Sequence, residues 1–162
     1  MKRKSIIVLV VLLLLSMTMA GCGAKAKTFT KNDMSITLTA DFEEKPKNDA
    51  NAYYESNKAI LFCYQDPNEG LKGAGLDPAT LTLKEYAEKI VEMYGIGVAV
   101  VEVDGLYVFD FYETTADYEF YHMGTVQKGP NSFWVFEFVC QKKDQNSMSK
   151  QFIKWAKTIK IN

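Results

Sequence analysis

The sequence predicts a single domain of the α+β class, in which an antiparallel sheet with a four-strand meander packs against two amphipathic helices. Three observations predict it. Strand patterns follow one another after residue 97, a helical repeat of apolar residues lies on either side of them, and no parallel alternation of strand and helix is seen. The 162-residue chain, after loss of the leader described below, has the usual length of one domain with one core.

Two helices are indicated by their end signals and their apolar periodicity. Thr82 and Glu85 form a Ser/Thr-x-x-Glu capping box, which predicts a helix start. Gly95 suits the left-handed conformation that ends a helix, and a second helix is predicted after Asp144. The apolar stripes are Leu83, Tyr86, Ala87, Ile90, Val91 and Tyr94 in the first helix, and Met148, Phe152, Trp155, Ala156 and Ile159 in the second.

The strands are predicted from alternation and from their turns. Apolar and polar residues alternate over 34–39, the pattern of a strand with one buried face, and the polar run 41–51 is predicted as a loop. Asp104-Gly105 fits a two-residue hairpin turn, because both positions need positive φ, and Gly129-Pro130-Asn131 marks another turn. The other predicted strands cover residues 53–56, 59–64, 98–103, 106–115, 118–126 and 132–141.

Residues 65–81 are the longest stretch without periodicity, and they contain three glycines and two prolines. Long loops in compact domains are often functional or mobile, so we predict a candidate binding loop here, with a solvated surface loop as the alternative. The side chains predicted to make polar contacts with a ligand are Asp66, Glu69, Lys72 and Asp77.

The amino-terminal segment has the pattern of an export signal. Three basic residues at 2–4 precede an apolar stretch at 6–17, shorter than the roughly 20 residues of a membrane-spanning helix. The following Met19-Ala20-Gly21-Cys22 resembles the cleavage site of bacterial lipoprotein precursors. That resemblance implies cleavage before Cys22 and acyl chains, such as palmitate, on Cys22; the alternative is an ordinary secretory signal.

The expected organisation follows from that signal. Residues 1–21 are the predicted signal peptide, 22–28 a lipidated tether, and 29–162 the single globular domain. The protein is expected at the extracytoplasmic face of the cell membrane, held there by the lipid anchor on Cys22. Its partner is expected to be an envelope protein or a small ligand.

Charge argues against nucleic-acid binding. The leader contains three of the 19 Lys and Arg residues, so 16 remain against 20 Asp and Glu, and none of the 16 is an arginine. Binding to nucleic acid needs clustered basic residues that neutralise phosphates, and these lysines are scattered. We therefore expect no nucleic-acid partner.

The remaining cysteines, Cys63 and Cys140, each lie in an apolar run. Two interpretations stay open: a disulfide, which is permitted outside the cytoplasm, or two buried thiols. No CxxC pair occurs, and the sequence has a single histidine, so no zinc cluster of ordinary spacing can be written. No cofactor is predicted.

Catalytic motifs are not evident. A Ser/His/Asp or Cys/His site would need His122, which lies mid-strand without a recognisable nucleophile motif. Asp110 and Glu137 interrupt apolar strands and are expected to face water, a lysine or a cation, because an unpaired buried carboxylate is costly. The alternative function is therefore a hydrolase or metal-assisted enzyme. Its candidate residues are Asp110, Glu113, Asp117, Glu119 and His122.

The meander is rich in aromatic residues, and strand alternation assigns about half of them to each face of the sheet. One face is expected to pack under the helices. The other is either covered in the same way or exposed as a groove for a ligand or a protein partner.

Three segments and four single residues carry a resemblance to a known family: residues 34–38, 81–87 and 133–140, together with Phe152, Ile153, Ile159 and Lys160. Their order resembles the PsbP-like domains of small bacterial lipoproteins over nearly all of the chain after the leader. The resemblance implies an α/β/α sandwich and a non-enzymatic role in binding a ligand or a partner, with envelope assembly as a further option.

Overall fold

The computed structural model describes residues 25–162, so Cys22 and the predicted signal peptide lie outside it. The helices of this part are α1 (Asn68–Gly73), α2 (Leu83–Tyr94) and α3 (Gln145–Ala156), with a 3-10 turn at Lys142–Asp144. The strands are β1 (Ala26–Lys31), β2 (Met34–Thr39), β3 (Glu43–Glu44), β4 (Ala52–Glu55), β5 (Ile60–Pro67), β6 (Val101–Val103), β7 (Leu106–Thr114), β8 (Glu119–Lys128), β9 (Ser132–Gln141) and β10 (Lys160–Ile161).

The strands form two sheets in which all neighbours are antiparallel. The larger sheet has seven strands in the order β3-β4-β5-β9-β8-β7-β6, and the smaller has the order β1-β2-β10. Strands β6 to β9 are neighbours in chain order, which confirms the predicted four-strand meander. None of the helices in residues 25–162 has both the length and the apolar character needed to span a membrane.

Local signals in the sequence predict the turns and the cap of α2 correctly. Asp104 and Gly105 have φ values of 55° and 81°, so the β6–β7 hairpin turn is confirmed. The Thr82 side chain accepts a hydrogen bond from the Glu85 backbone N–H, and the Glu85 carboxylate accepts one from the Thr82 backbone N–H. Gly95 ends the helix with φ of 63°.

Two hydrophobic cores lie on opposite faces of the seven-stranded sheet. One is formed with the three-stranded sheet and α3, whose Phe152 and Trp155 are buried. The other is formed with α1 and α2, through Leu71, Tyr86 and Ile90. The resulting layers confirm the α+β sandwich with packed amphipathic helices. Aromatic residues of the meander contribute to both cores, as the strand alternation predicts: Tyr121, Trp134, Phe136 and Phe138 to the first, and Phe109 and Phe133 to the second.

Two expectations about irregular segments are corrected. Residues 26–28, predicted as part of the tether, belong to β1, because Phe29 is buried and β1 pairs with β2 along its whole length. Residues 65–81 are not a long structureless loop. Strand β5 continues to Pro67, and α1 follows because Leu71 is buried in the second core despite the neighbouring glycines.

The disulfide interpretation is contradicted by the structure. Cys63 and Cys140 are both free and buried. Cys63 of β5 pairs with Phe136 of β9, so Cys140 lies four residues further along that strand. Four residues of a strand span about 13 Å, well beyond the roughly 7 Å limit between the Cα atoms of a bridged pair.

Substituting Gly124→Ala is expected to destabilise the domain by about 1–3 kcal/mol, because a Cβ on this β8 residue would overlap the buried Phe109 ring of β7. The free energy of unfolding in urea measures the effect. Gly70→Ala is the matched control, since a Cβ there meets nothing within 4 Å. Equal stability of the two variants would contradict this account of packing between β7 and β8.

The folded protein is expected to resist alkylation of Cys63 and Cys140 by iodoacetamide at neutral pH. Burial raises the pKa of the Cys63 thiol, and burial, with the charge of Asp144, raises that of Cys140 to about 11, so neither forms the reactive thiolate. Peptide mass spectrometry should show both thiols modified only after unfolding in urea without reductant. A peptide pair joined through these two cysteines would contradict the strand register.

Candidate functional site

The sheet face that carries His122 is covered along only part of its length. Helices α1 and α2 pack on Phe109, Val126, Phe133 and Val135. Beyond them the same face continues with half-buried aromatic rings and with three ionisable groups. We call this uncovered part the His122 face; it comprises Phe62, Phe111, Glu113, His122 and Glu137.

Strand register brings these residues together. Phe62 of β5 is the partner of Glu137 on β9, and Phe111 of β7 is the partner of His122 on β8. His122 is also paired with Val139, two residues beyond Glu137 on the same strand. Since residues two apart in a strand point to the same face, Glu137 is a diagonal neighbour of His122 and within its reach.

His122 is held by a short hydrogen bond on one ring nitrogen. Its Nδ1 lies 2.6 Å from Glu137 Oε1, and only 6% of the residue is exposed. Because an ionised carboxylate only accepts, the Nδ1–H donates, which fixes the tautomer of a neutral imidazole. The Phe111 ring stacks on the imidazole, with centroids 4.6 Å apart and planes inclined by 19°, and fixes its orientation.

The other ring nitrogen is buried without a hydrogen-bond partner among the described residues. Nε2 faces Glu113 Oε2 at 3.4 Å, a contact that lacks hydrogen-bond geometry. The Glu113 side chain is 61% exposed, whereas that of Glu137 is 21% exposed. The imidazole is therefore placed between one fixed carboxylate and one carboxylate that is free to move in solvent.

A row of aromatic rings continues from Glu137 toward the edge of the sheet. Tyr53 and Phe62 have ring centroids 5.0 Å apart, and Phe62 stacks on Tyr64 at 6.2 Å. The Lys47 ammonium lies over this row, 5.8 Å from the ring centroids of both Tyr53 and Phe62. The rings beside Glu137 thus already accommodate a cation of the chain itself.

The charge of Glu137 affects two tyrosines near this region. Burial raises the pKa of Tyr64, and the charge of Glu137 raises it further. The same two causes, in the same order, raise the pKa of Tyr94, the last residue of α2. Both phenols therefore lie within the field of the Glu137 carboxylate, which disfavours a second negative charge nearby.

The predicted binding-loop residues are not gathered into one cluster. Asp66 accepts a 2.6 Å hydrogen bond from the Tyr86 hydroxyl, which fastens β5 to α2. Asp77 accepts from the Ala79 backbone N–H at 3.0 Å and from the Thr80 hydroxyl at 3.3 Å, within a local turn. Glu69 and Lys72 are exposed on α1. Two of the four thus have structural partners, and ligand binding by the group stays a prediction.

The residues considered for catalysis are also mostly separated. Asp110 lies on the opposite face of β7 from Phe111 and is exposed to solvent, as expected. Glu119 is 3.0 Å from Lys142, and Asp117 lies in the β7–β8 turn region. Of the five candidate residues, only Glu113 and His122 contact each other. Within residues 25–162, no three His, Cys, Asp or Glu side chains are placed to hold a metal ion.

The pairing of Glu137 with His122 is the feature that sequence reasoning missed. Glu137 was expected to face water, a lysine or a cation, and its partner is instead a histidine of the next strand. The available signal was the turn at residues 129–131, because a turn position determines which residues of its two strands face each other.

These layers and this strand order define a PsbP-like α+β fold. The solution structure of cyanobacterial PsbP (CyanoP) from Synechocystis sp. PCC 6803 is similar, with a TM-score of 0.59 and 9% identity over 89% of this chain and 99% of that one. A crystal structure from Bacteroides thetaiotaomicron VPI-5482 has a TM-score of 0.56 and 7% identity, covering 86% of this chain and 48% of that one.

The likeness at such low identity concerns the fold alone, and the chain spans about half the length of the Bacteroides protein. No protein-family model and no curated protein matches the sequence. The similarity to cyanobacterial PsbP confirms the fold that the resemblance implies.

Substituting Glu137→Gln is expected to lower the free energy of unfolding by about 1.5–3 kcal/mol, because it removes the charge from the hydrogen bond that holds buried His122. Urea denaturation measures the loss. Glu113→Gln is the matched control on the same imidazole and should change stability by less than about 0.5 kcal/mol, since Glu113 is exposed. Similar losses in both variants would contradict the unequal roles given to the two carboxylates.

Proposed function

We propose that the protein is a lipoprotein anchored at the extracytoplasmic face of the cell membrane, where it binds a ligand or a partner protein without catalysing a reaction. The His122 face is the proposed binding site. The arrangement of His122 between Glu113 and Glu137 is the observation that carries the binding function, and Cys22 carries the location.

The anchor is supported by the pattern of the first 22 residues. Basic residues at 2–4, the apolar stretch 6–17 and the small residues before Cys22 together favour cleavage and acylation at Cys22. Each buried CH₂ contributes about 0.8 kcal/mol, so two or more acyl chains would give stable attachment. Since β1 begins at Ala26, only three residues lie between Cys22 and the first strand, and the four residue steps span at most about 14 Å.

Binding is favoured over catalysis by what surrounds the imidazole. A histidine acting as a base in nucleophilic catalysis presents its second nitrogen to a hydroxyl or thiol. Here Nε2 faces the Glu113 carboxylate, and no Ser, Thr or Cys of residues 25–162 is hydrogen-bonded to the ring. The stacked rings next to Glu137 provide an apolar surface, and the carboxylates provide polar anchors, which is the usual composition of a ligand site.

An envelope hydrolase is the second candidate function. The 2.6 Å contact between His122 and Glu137 favours it, because a carboxylate that orients a buried imidazole is also found in enzymes. A hydrolytic turnover that is lost in Glu137→Gln with the fold intact would support the enzyme. A role as an assembly factor would instead show as an envelope protein that co-purifies only with the anchored form.

Replacing Cys22→Ser is expected to abolish acylation and release the protein from stable membrane attachment. The wild type should remain in the membrane fraction of a bacterial host, with its amino-terminal peptide heavier by the mass of its acyl chains. Lys25→Ala is the matched control, because it leaves Cys22 unchanged. An unmodified Cys22 and a wild type recovered in the soluble fraction would refute the proposed anchor.

A further inference from the structure

The His122 face contains a buried polar atom whose hydrogen-bonding capacity is unused. Within residues 25–162 the His122 Nε2 has no hydrogen-bond partner, although only 6% of the residue is exposed. A buried nitrogen without a partner costs free energy, so such an atom points to a group that binds there.

We propose that this face binds a small organic ammonium compound, with the ammonium group between His122 Nε2 and the Glu113 carboxylate. The inference deepens the proposed function, since it names the ligand class of the same site and rests on that function.

The hydrogen-bonding groups at this position indicate a ligand that donates hydrogen bonds. With the Nδ1–H donated to Glu137, the Nε2 of a neutral imidazole is an acceptor. It faces a Glu113 oxygen, which is also an acceptor, at 3.4 Å. In the neutral form of the ring, Nε2 and the Glu113 oxygen are therefore two acceptors that face each other. An ammonium group has up to three N–H donors and no acceptor, so it can satisfy both atoms once the exposed Glu113 side chain moves outward.

The charge of the face indicates a cationic donor rather than a neutral one. Two carboxylates, Glu113 and Glu137, contact a single imidazole, so the cluster keeps a negative charge whether or not the ring is protonated. The carboxyl-terminal end of α2 has no basic residue in its last turn, and its last residue, Tyr94, lies within the field of Glu137. A helix carboxyl end adds partial negative charge, which favours a cation.

An aromatic ring lies beside the proposed position of the ammonium group. Phe111 stacks on the imidazole, with centroids 4.6 Å apart, and it lies two residues before Glu113 on β7, so the two side chains share one face of the sheet. The half-buried Phe111 ring would contact the apolar part of an amine held by Glu113.

A metal ion does not fit this arrangement. Glu137 and Glu113 contact opposite nitrogens of the same ring, so one ion cannot bind both carboxylates and a ring nitrogen together. An anion would be repelled by both carboxylates. A compound with an ammonium group and a short apolar chain combines the donors, the charge and the ring contact that the face offers.

The test uses the full chain, purified in a non-ionic detergent without a histidine tag, and 1,5-diaminopentane as the probe. The sequence contains one histidine, so ¹⁵N labelling of histidine gives the two ring-nitrogen signals of His122 alone. Addition of 1,5-diaminopentane should shift the Nε2 signal in a saturable way. The diol 1,5-pentanediol and the anion glutarate should not shift it. Tetramethylammonium, which has no N–H donor, should bind more weakly.

Two variants distinguish the site from the rest of the surface. Glu113→Gln should weaken binding of the diamine by about tenfold or more, because the carboxylate that faces the ammonium loses its charge. Glu102→Gln, an exposed carboxylate on β6, is the matched control and should leave the affinity unchanged.

Several results would overturn the inference: no shift with 1,5-diaminopentane, equal shifts with the diol or with glutarate, or an affinity unaffected by Glu113→Gln. A membrane-anchored protein that binds only neutral or anionic ligands would refute the ligand class and leave the proposed function standing. A protein that binds the diamine but has an unmodified Cys22 would refute the anchor alone.

Discussion

Strand β9 is buried on both of its faces, and the rest of the structure depends on that constraint. Its side chains alternate between the two cores and contribute at least two to each, so burial of this one strand needs a layer on both sides of the sheet. Each fully buried large apolar side chain contributes about 1.5–3 kcal/mol. The residues are Trp134, Phe136, Phe138 and Cys140 in the first core, and Phe133 and Val135 in the second.

The same constraint explains the geometry of the His122 face. Glu137 is an acidic residue in a strand that is otherwise apolar, and an unpaired carboxylate there would cost several kcal/mol. Pairing of β9 with β8 places His122 next to it, and pairing with β5 places Phe62 next to it. The fixed carboxylate is thus on a strand that is buried on both faces, and the imidazole is on the neighbouring strand β8, so both groups are positioned by strands of the sheet.

Much of the fold could be predicted from interactions between residues that are close in sequence. The pairing of strands that are distant in sequence could not be predicted in this way. The capping box at Thr82, the hairpin turn at Asp104-Gly105 and the helical periodicity after Asp144 each depend on residues close in sequence, and all three were predicted correctly. Strand β10 has two residues and exists only because β2, more than 120 residues earlier, pairs with it. The contact between His122 and Glu137 depends in the same way on register between strands, which composition does not reveal.

The position of the amino terminus relates the proposed anchor to the site. The Lys25 carbonyl accepts a hydrogen bond from the Ala40 N–H, and Lys25 lines a groove together with Ser56 and Lys58 of the β4–β5 turn. Strand β5 begins just after that turn, and its Ile60 pairs with the same Val139 that pairs with His122. His122 is therefore two strands away from Ile60, about 10 Å. With Cys22 acylated as proposed and β1 fully paired, the anchor would be attached near the end of the sheet at which Ile60, Val139 and His122 are neighbours.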